Sequence, residues 1–299
     1  MSDATLEVGG DAPGLQLSVS QIQKFTTCEN RWLLNRQLPE EQKQIAKSEP
    51  LSLGTLMHSC LAAWRSGRSW REAWIAAVIE EVGSTEVAYK VSRGKIVELA
   101  KGWQAPKWMH RALPIMDDWE KVHGRTGEQD KDPAMAGMQF VATELPFNIE
   151  VPGVPGARIR GFLDSMVAQP VDHIRVHDRM KVVEDKTMGR WGRENQVPFD
   201  LQLNVYLWAA RQMNGNVDGA VFEAISTYDY KNGTPEIRFK RLFLPYDQRL
   251  VDRTMHDVAA AARRMAEVLE DPERAVRNVG DACTYCDFRR VCLTPWEVA

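Results

Sequence analysis

The sequence predicts an α/β fold with a central mixed sheet flanked by helices, and three observations predict it. Apolar residues recur at helical steps through roughly the first 125 residues, the period switches to strand-like alternation after about residue 138, and a long amphipathic helix returns after residue 250. The 299 residues are 44% hydrophobic and 26% charged, which suits a folded chain and excludes wholesale disorder. No apolar run approaches the roughly 20 residues needed to cross a bilayer. The first twenty residues carry Asp3, Glu7 and Asp11 and no Lys or Arg. They lack the basic start and apolar middle of a secretory signal, so a cytoplasmic protein with no membrane association is expected. Those three acids equal the whole formal net charge of −3, so the remainder is balanced and any nucleic-acid contact must come from local basic patches.

Residues 1–17 read as a polar, glycine-bearing tail and 18–299 as one domain. Ser18 and Ser20 offer caps for a helix that begins at Gln21 and leads to Cys28 and Arg31-Trp32. After a polar link from Pro39 to Pro50, Leu53, Met57, Leu61 and Trp64 fall at steps of 4, 4 and 3, a buried helical stripe. Helical patterns continue to residue 123 with breaks near Gly83, Gly102 and Pro114, giving a helical region over about 60–125. Phe140–Glu144, Ala157–Asp164 and Lys181–Lys186 alternate or run apolar as strands do, with Pro152, Gly153, Pro155 and Gly156 marking a turn. A helix over Phe199–Met213 precedes strands near Ala220–Thr227 and Ile237–Leu244, so the sheet occupies about 138–245. Val251, Met255, Val258, Ala262 and Leu269 share one face of a helix running from Val251 to Glu270. There is no G-x4-G-K-[ST] phosphate loop, hence no ATP motor within the chain.

The chemistry concentrates in two places. On a strand over residues 181–187, Glu184 and Lys186 share a face. An isolated E-x-K is most often a solvated ion pair worth about 0–1 kcal/mol. Asp164 changes that reading, because it ends a strand one hairpin upstream, so two carboxylates can meet one cation that relieves their repulsion. Glu144 is a candidate further acidic neighbour, and His58 offers an imidazole suited to Mn²⁺-like ions. Gln202 and Tyr206, at i and i+4 on the following helix, project side by side toward a phosphate or a nucleotide. Arg190 and Arg193 extend the positive charge of Lys186 in the intervening loop.

The second place is the cysteine cluster. Cys283, Cys286 and Cys292 fall within ten residues as C-x2-C-x5-C, which in a chain read as cytoplasmic indicates metal in place of disulfides. Spacing alone fits either Zn²⁺ or an iron–sulfur cluster. Cys60 stands apart in an apolar helical setting, where a thiol packs as a small hydrophobe.

Six segments in chain order resemble the PD-(D/E)XK nuclease superfamily, and more closely its RecB-like branch with an iron–sulfur cluster, which includes AddB-type and CRISPR-adaptation nucleases. They are Ser20-Gln-Ile-x2-Phe25-x2-Cys28-x2-Arg31, Gly54-x3-His58, Gly161-x2-Asp164, Glu184-Asp-Lys186-Thr, Gln202-x3-Tyr206 and the terminal cysteines. The resemblance spans about residues 18–293 and implies a restriction-endonuclease-like core. It implies that His58, Asp164, Glu184 and the backbone carbonyl of Asp185 hold Mg²⁺ or Mn²⁺, with Lys186 at the nucleophile. It also implies that Cys28, Cys283, Cys286 and Cys292 hold a 4Fe-4S cluster, in preference to Zn²⁺, that joins the N-terminal segment to residues 251–293. Closing the 255-position loop (283 − 28) would contribute about 5 kcal/mol by the entropy formula for cross-links.

The implied activity is metal-dependent hydrolysis of DNA phosphodiesters by an exonuclease preferring single-stranded ends, in recombination, repair or CRISPR-type processing, with a helicase or recombination protein as partner. A structure- or sequence-specific endonuclease is one alternative, and a non-catalytic DNA-binding module retaining the cluster is another. Ten tryptophans permit base stacking, although most suit the core. The chain departs from the family at Asp185: the residue between acid and lysine is usually apolar, and a buried carboxylate there needs a cationic or polar partner.

Overall fold

The computed structural model describes residues 14–38, 49–82, 91–92, 95–96, 107–169, 179–188, 194–227 and 239–293. Arg190 and Arg193 lie outside the described residues, as do positions 1–13 of the expected tail. The chain gathers into two compact units: one formed by Met1–Ile45, Pro146–Gly161 and Arg249–Ala299, the other by Ala46–Leu145 and Phe162–Gln248.

In the first unit, strand β1 (Gln16–Leu17) pairs in parallel with Arg158 and Ile159 at the start of β5 (Arg158–Gln169). Residues 16 and 17 therefore belong to the fold and not to a tail; Leu17 is fully buried. Helix α1 (Val19–Thr27) starts at Ser18, whose hydroxyl accepts from the Gln21 N–H while the Gln21 side chain accepts from the Ser18 N–H. This reciprocal cap satisfies two otherwise orphaned donors and fixes where the helix begins. Cys28 has extended backbone and separates α1 from α2 (Glu29–Gln37). The long helix α7 (Gln248–Glu270) buries Val251, Met255, Val258, Ala262 and Met265, with Val268 completing the stripe. Leu269, expected on that face, is 38% exposed; it is the last residue but one of the helix. Helix α8 (Arg289–Leu293) closes the segment.

The second unit holds helices α3 (Glu49–Arg65), α4 (Trp70–Val82), α5 (Lys107–His123) and α6 (Leu201–Met213), and the short antiparallel strands β2 (Val91–Ser92) and β3 (Lys95–Ile96). Leu53, Met57, Leu61 and Trp64 of α3 pack with Trp70 and Trp74 of α4 and Met109, Met116 and Trp119 of α5. The buried indoles are not all orphaned: Trp64 donates to the Gly124 carbonyl at 3.1 Å and Trp74 to that of Met109 at 3.0 Å. Pro114 does not break α5 as the sequence suggested. Its flanking residues Leu113, Ile115 and Met116 are all buried in this cluster, and that packing offsets the roughly 3 kcal/mol cost of an interior proline.

The sheet is mixed. β5 pairs antiparallel with β6 (Arg179–Met188), β6 parallel with β7 (Val217–Ser226), and β7 antiparallel with β8 (Phe239–Pro245), while β4 (Gln139–Glu150) also pairs with β5. The parallel pair β6 and β7 is joined through α6, the usual crossover for parallel strands. Met135, Val167, Val183 and Val221 form a smaller apolar cluster on the sheet.

Candidate metal and nuclease site

The β5–β6 register pairs Ser165 with Val183. The pairing ends there, with Asp164 and Glu184 the next residue on each strand; side chains alternate along a strand, so Phe162 and Asp164 share one face of β5, and Glu184 and Lys186 one face of β6. Asp164 is 8% exposed and Glu184 1%. The backbone N–H of Asp185 donates to Asp164 Oδ2 at 2.9 Å, which ties the two acidic strands at the site.

Helix α3 delivers His58, whose Nδ1 lies 3.3 Å from Asp164 Oδ1. Gly54 sits one turn earlier; a Cβ there would stand 3.2 Å from Thr187 Oγ1, so the glycine permits the close approach of α3 to the end of β6. Burial by itself would depress the His58 pKa, but hydrogen bonding and attraction to Asp164, reinforced by Asp185 and Glu144, raise it to about 9. Glu144 bears on the same charges. Its backbone is left-handed at φ 49°, unusual for a non-glycine residue, and its pKa is raised by burial and by Asp164.

Glu184 is the most exacting residue of the group. Gln202 Nε2 donates to its Oε1 at 2.7 Å, while Oε2 is buried with no hydrogen-bond partner. Burial first, then Asp164, pushes its pKa well above the usual carboxylate range, and the nearby Lys186 ammonium opposes the shift. The Gln202 amide also lies 3.3 Å from the Tyr206 hydroxyl. The pair expected to face a nucleotide is thus in place on α6, but the amide is engaged with Glu184, and Tyr206 is itself buried. Asp200 caps α6 by accepting from the Leu203 N–H at 3.0 Å, fixing the turn on which Gln202 stands.

His58, Asp164 and Asp185 each offer a ligand atom within 4.8 Å of the others, the one such group among the described residues. The Asp185 carboxylate is already committed. Arg65 donates to both its oxygens at 2.5 Å and also pairs with Glu223, and all three side chains are buried. The cation that a buried Asp185 requires is therefore Arg65, one helical stretch after His58. The pairing continues from Glu223 to Arg241, which binds Asp130 at 2.6 Å and Asp132 at 3.1 Å. Burial raises the Asp185 pKa to about 6 against the pull of Arg65, whereas Arg241 and Arg65 hold Glu223 below its usual value despite burial. None of Arg65, Glu223, Arg241 and Asp130 was marked by sequence reasoning. Glu223 carried a usable signal, a charge inside the apolar run Ala220–Ile225, where burial demands a paired cation.

These facts test whether a divalent cation fits. The buried carboxylates of Asp164 and Glu184, the latter with one oxygen lacking a partner, and the neighbouring His58 imidazole form a donor set of the kind Mg²⁺ or Mn²⁺ accepts.

In the first unit, the segments bearing the four cysteines are stitched together by hydrogen bonds. Asn278 donates to the Thr27 carbonyl at 3.0 Å, Glu29 accepts from the Val276 N–H at 2.9 Å and from Arg264 twice at 3.0 Å, and Asn30 Nδ2 donates to Cys292 Sγ at 3.4 Å. The sulfurs themselves do not form the expected four-cysteine cluster: among the described residues no three cysteine sulfurs lie within 4.8 Å of one another, whereas thiolates around zinc, at bonds of about 2.3 Å, would sit about 4 Å apart. Thiols have no attraction of their own, so packing alone does not draw them to that spacing. Cys60 is buried and its thiol is pushed up to about 12 by burial, as expected of an inert packing residue.

No described helix is long and apolar enough to cross a membrane. No curated protein matches the chain in sequence. Among solved structures, a protein from Eubacterium rectale that carries an inferred exonuclease assignment is similar at 15% identity and a TM-score of 0.49, over 90% of this chain and 87% of its own. The structure of SSO0001 is similar at 15% identity and a TM-score of 0.33, over 89% of this chain and 96% of its own. Similarity that distant assigns no activity. The sequence model of the PD-(D/E)XK nuclease superfamily, by contrast, matches residues 16–293, nearly the whole length. With its acidic strand pair, histidine-bearing helix and full-length family match, the chain belongs to the PD-(D/E)XK nuclease superfamily.

Proposed function

We propose that the protein is a divalent-metal-dependent deoxyribonuclease that digests DNA from single-stranded ends. The observation that carries this reading is the orphaned, buried Glu184 oxygen beside Asp164 on one face of the sheet, with His58 against Asp164. His58, Asp164, Glu184 and the Asp185 carbonyl would hold the cation; the Asp185 carboxylate stays with Arg65. A bound Mg²⁺ or Mn²⁺ supplies Lewis acidity at the scissile phosphate and lowers the pKa of water. Lys186 orients the attacking water and offsets charge that builds on the phosphate. Gln202 fixes the orientation of Glu184, and the remaining exposure of His58 and Lys186 leaves the site open to a strand. Uncatalysed phosphodiester hydrolysis is so slow that such an enzyme must lower the barrier by on the order of 20 kcal/mol, which a lone general base does not supply.

A second group is proposed for the cysteines. Cys28, Cys283, Cys286 and Cys292 are free and partly exposed, and Asn30 donates to one of the sulfurs. We assign them to a 4Fe-4S cluster of structural role, on the strength of the family resemblance of their spacing. Recombination, repair or CRISPR-type processing beside a helicase is the setting that same resemblance suggests.

Purified protein incubated with end-labelled linear and circular DNA, single- and double-stranded, in Mn²⁺ and in chelator tests the activity. Linear single strands should disappear in Mn²⁺ only, while circles persist. Cut circles would establish an endonuclease instead, and intact substrates in every metal would leave a binding module. Lys186→Ala should be inert yet folded.

A further inference from the structure

An enzyme of single strands needs stacking contacts for unpaired bases. Among the described residues Trp32, Trp64, Trp70, Trp74, Trp119 and Trp208 are buried and serve the core. Among the described residues, the two large aromatic side chains that are more than half exposed are Phe162, at 56%, and Phe199, at 73%. Both stand within three residues of a site residue in sequence. Phe162 shares a strand face with Asp164, two residues away on β5. Phe199 ends the 3₁₀ turn Glu194–Phe199, immediately before the Asp200 cap, and three residues before the Gln202 that binds Glu184.

Single exposed apolar residues are common on protein surfaces and call for no explanation. What distinguishes this pair is placement, since the strand that carries Asp164 and the 3₁₀ turn that leads into the Gln202 helix each present a phenyl ring to solvent. Leu163 and Ser165, which follow Phe162 on β5, are fully buried, so the ring stands out of a strand that is packed from there on. Leaving about half of a ring in water forgoes stabilisation that burial would give. A partner with a flat apolar face recovers it, and an unpaired base is such a partner, next to a phosphate that the cation site engages.

We infer that Phe162 and Phe199 are stacking platforms for unpaired DNA bases flanking the scissile phosphate, and that they set the preference for single strands. The inference rests on the nuclease reading above. Bases inside a duplex are already stacked on their neighbours and cannot lie on a protein ring without being unpaired, so the same rings that bind single strands discriminate against duplex. Stacking reads a π-face that every base possesses, so no sequence preference accompanies it.

Two measurements test it. Phe162→Ala and Phe199→Ala should each raise KM for a linear single strand by roughly fivefold or more, with kcat changed far less and the melting temperature unaltered. Phe162→Trp should restore KM. In a Lys186→Ala background with Mn²⁺, a single strand carrying 2-aminopurine at its end should lose fluorescence on binding, and the added Phe162→Ala and Phe199→Ala changes should restore the signal. Unchanged KM in both alanine variants, or absent or unaltered quenching, would overturn the stacking inference while leaving the nuclease reading standing. If Lys186→Ala still cuts, or the wild type cuts nothing, it is the nuclease reading that fails.

Discussion

Glu184 shows how a functional carboxylate is held at a cost. Its side chain is buried beside Asp164, and one oxygen has no partner, so the ionised form is unfavourable until a cation arrives. Glu184→Gln should therefore raise the melting temperature of metal-free protein by a few degrees, what about 1 kcal/mol gives, while abolishing both cleavage and stabilisation by Mn²⁺; a lower melting temperature would show the charge to be already compensated. His58 responds in the opposite sense to pH. Its folded-state pKa is raised from 6.5 to about 9, so the stability it contributes is fully present below about pH 6.5 and is lost as pH rises through about 9. Melting curves of metal-free wild type should decline over that window relative to His58→Ala. Because a ligating imidazole must be neutral, the Mn²⁺ needed for half-maximal stabilisation should fall over the same window. Arg65 is the residue on which the buried charges depend. Arg65→Met should cost about 3–5 kcal/mol in denaturant unfolding by leaving Asp185 unpaired, and adding Asp185→Leu should return most of it.

At the scale of elements, the site is an intersection of one strand pair with two helices. α6 crosses from β6 to its parallel neighbour β7 and so must begin near the end of β6, which puts Gln202 on Glu184. Gly54 eases the approach of α3 to Thr187, since a Cβ there would meet Thr187 Oγ1 at 3.2 Å. Gly54→Ala should improve intrinsic helix propensity by up to about 1 kcal/mol yet push α3 off β6, so the fold persists while the Mn²⁺ midpoint in a thermal-shift titration rises several-fold. Thr187→Ala in the same chain should reverse the loss, because it removes the atom the new methyl group meets. An unchanged midpoint in Gly54→Ala would mean that α3 has slack there.

At the scale of the whole chain, residues far apart in sequence share each of the two units: Cys28 and Cys292 are segments of one, His58 and Tyr206 of the other. A 4Fe-4S cluster in the first unit should make anaerobically purified protein brown with about four irons per chain, and Cys28→Ser should lose the iron and lower the melting temperature. Colourless protein carrying zinc would refute the assignment.

The acids, the histidine and the helix residues after them could be read directly from sequence, since each sits in a short motif whose local period fixes its face: alternation aligns Glu184 with Lys186, and a four-residue step aligns Gln202 with Tyr206. What local period leaves open is who meets whom across the fold. Arg65 follows Trp64 at the end of an apolar helix with nothing to single it out, and its partners Asp185 and Glu223 are 120 and 158 positions away. Likewise Gln202 could not be assigned to Glu184, nor Phe162 and Phe199 to solvent, until the strands were in register. The sequence by itself determined which groups could do the chemistry; the tertiary structure decided which of them neutralise one another and which stay free, because burial and pairing of charge depend on neighbours that only folding supplies.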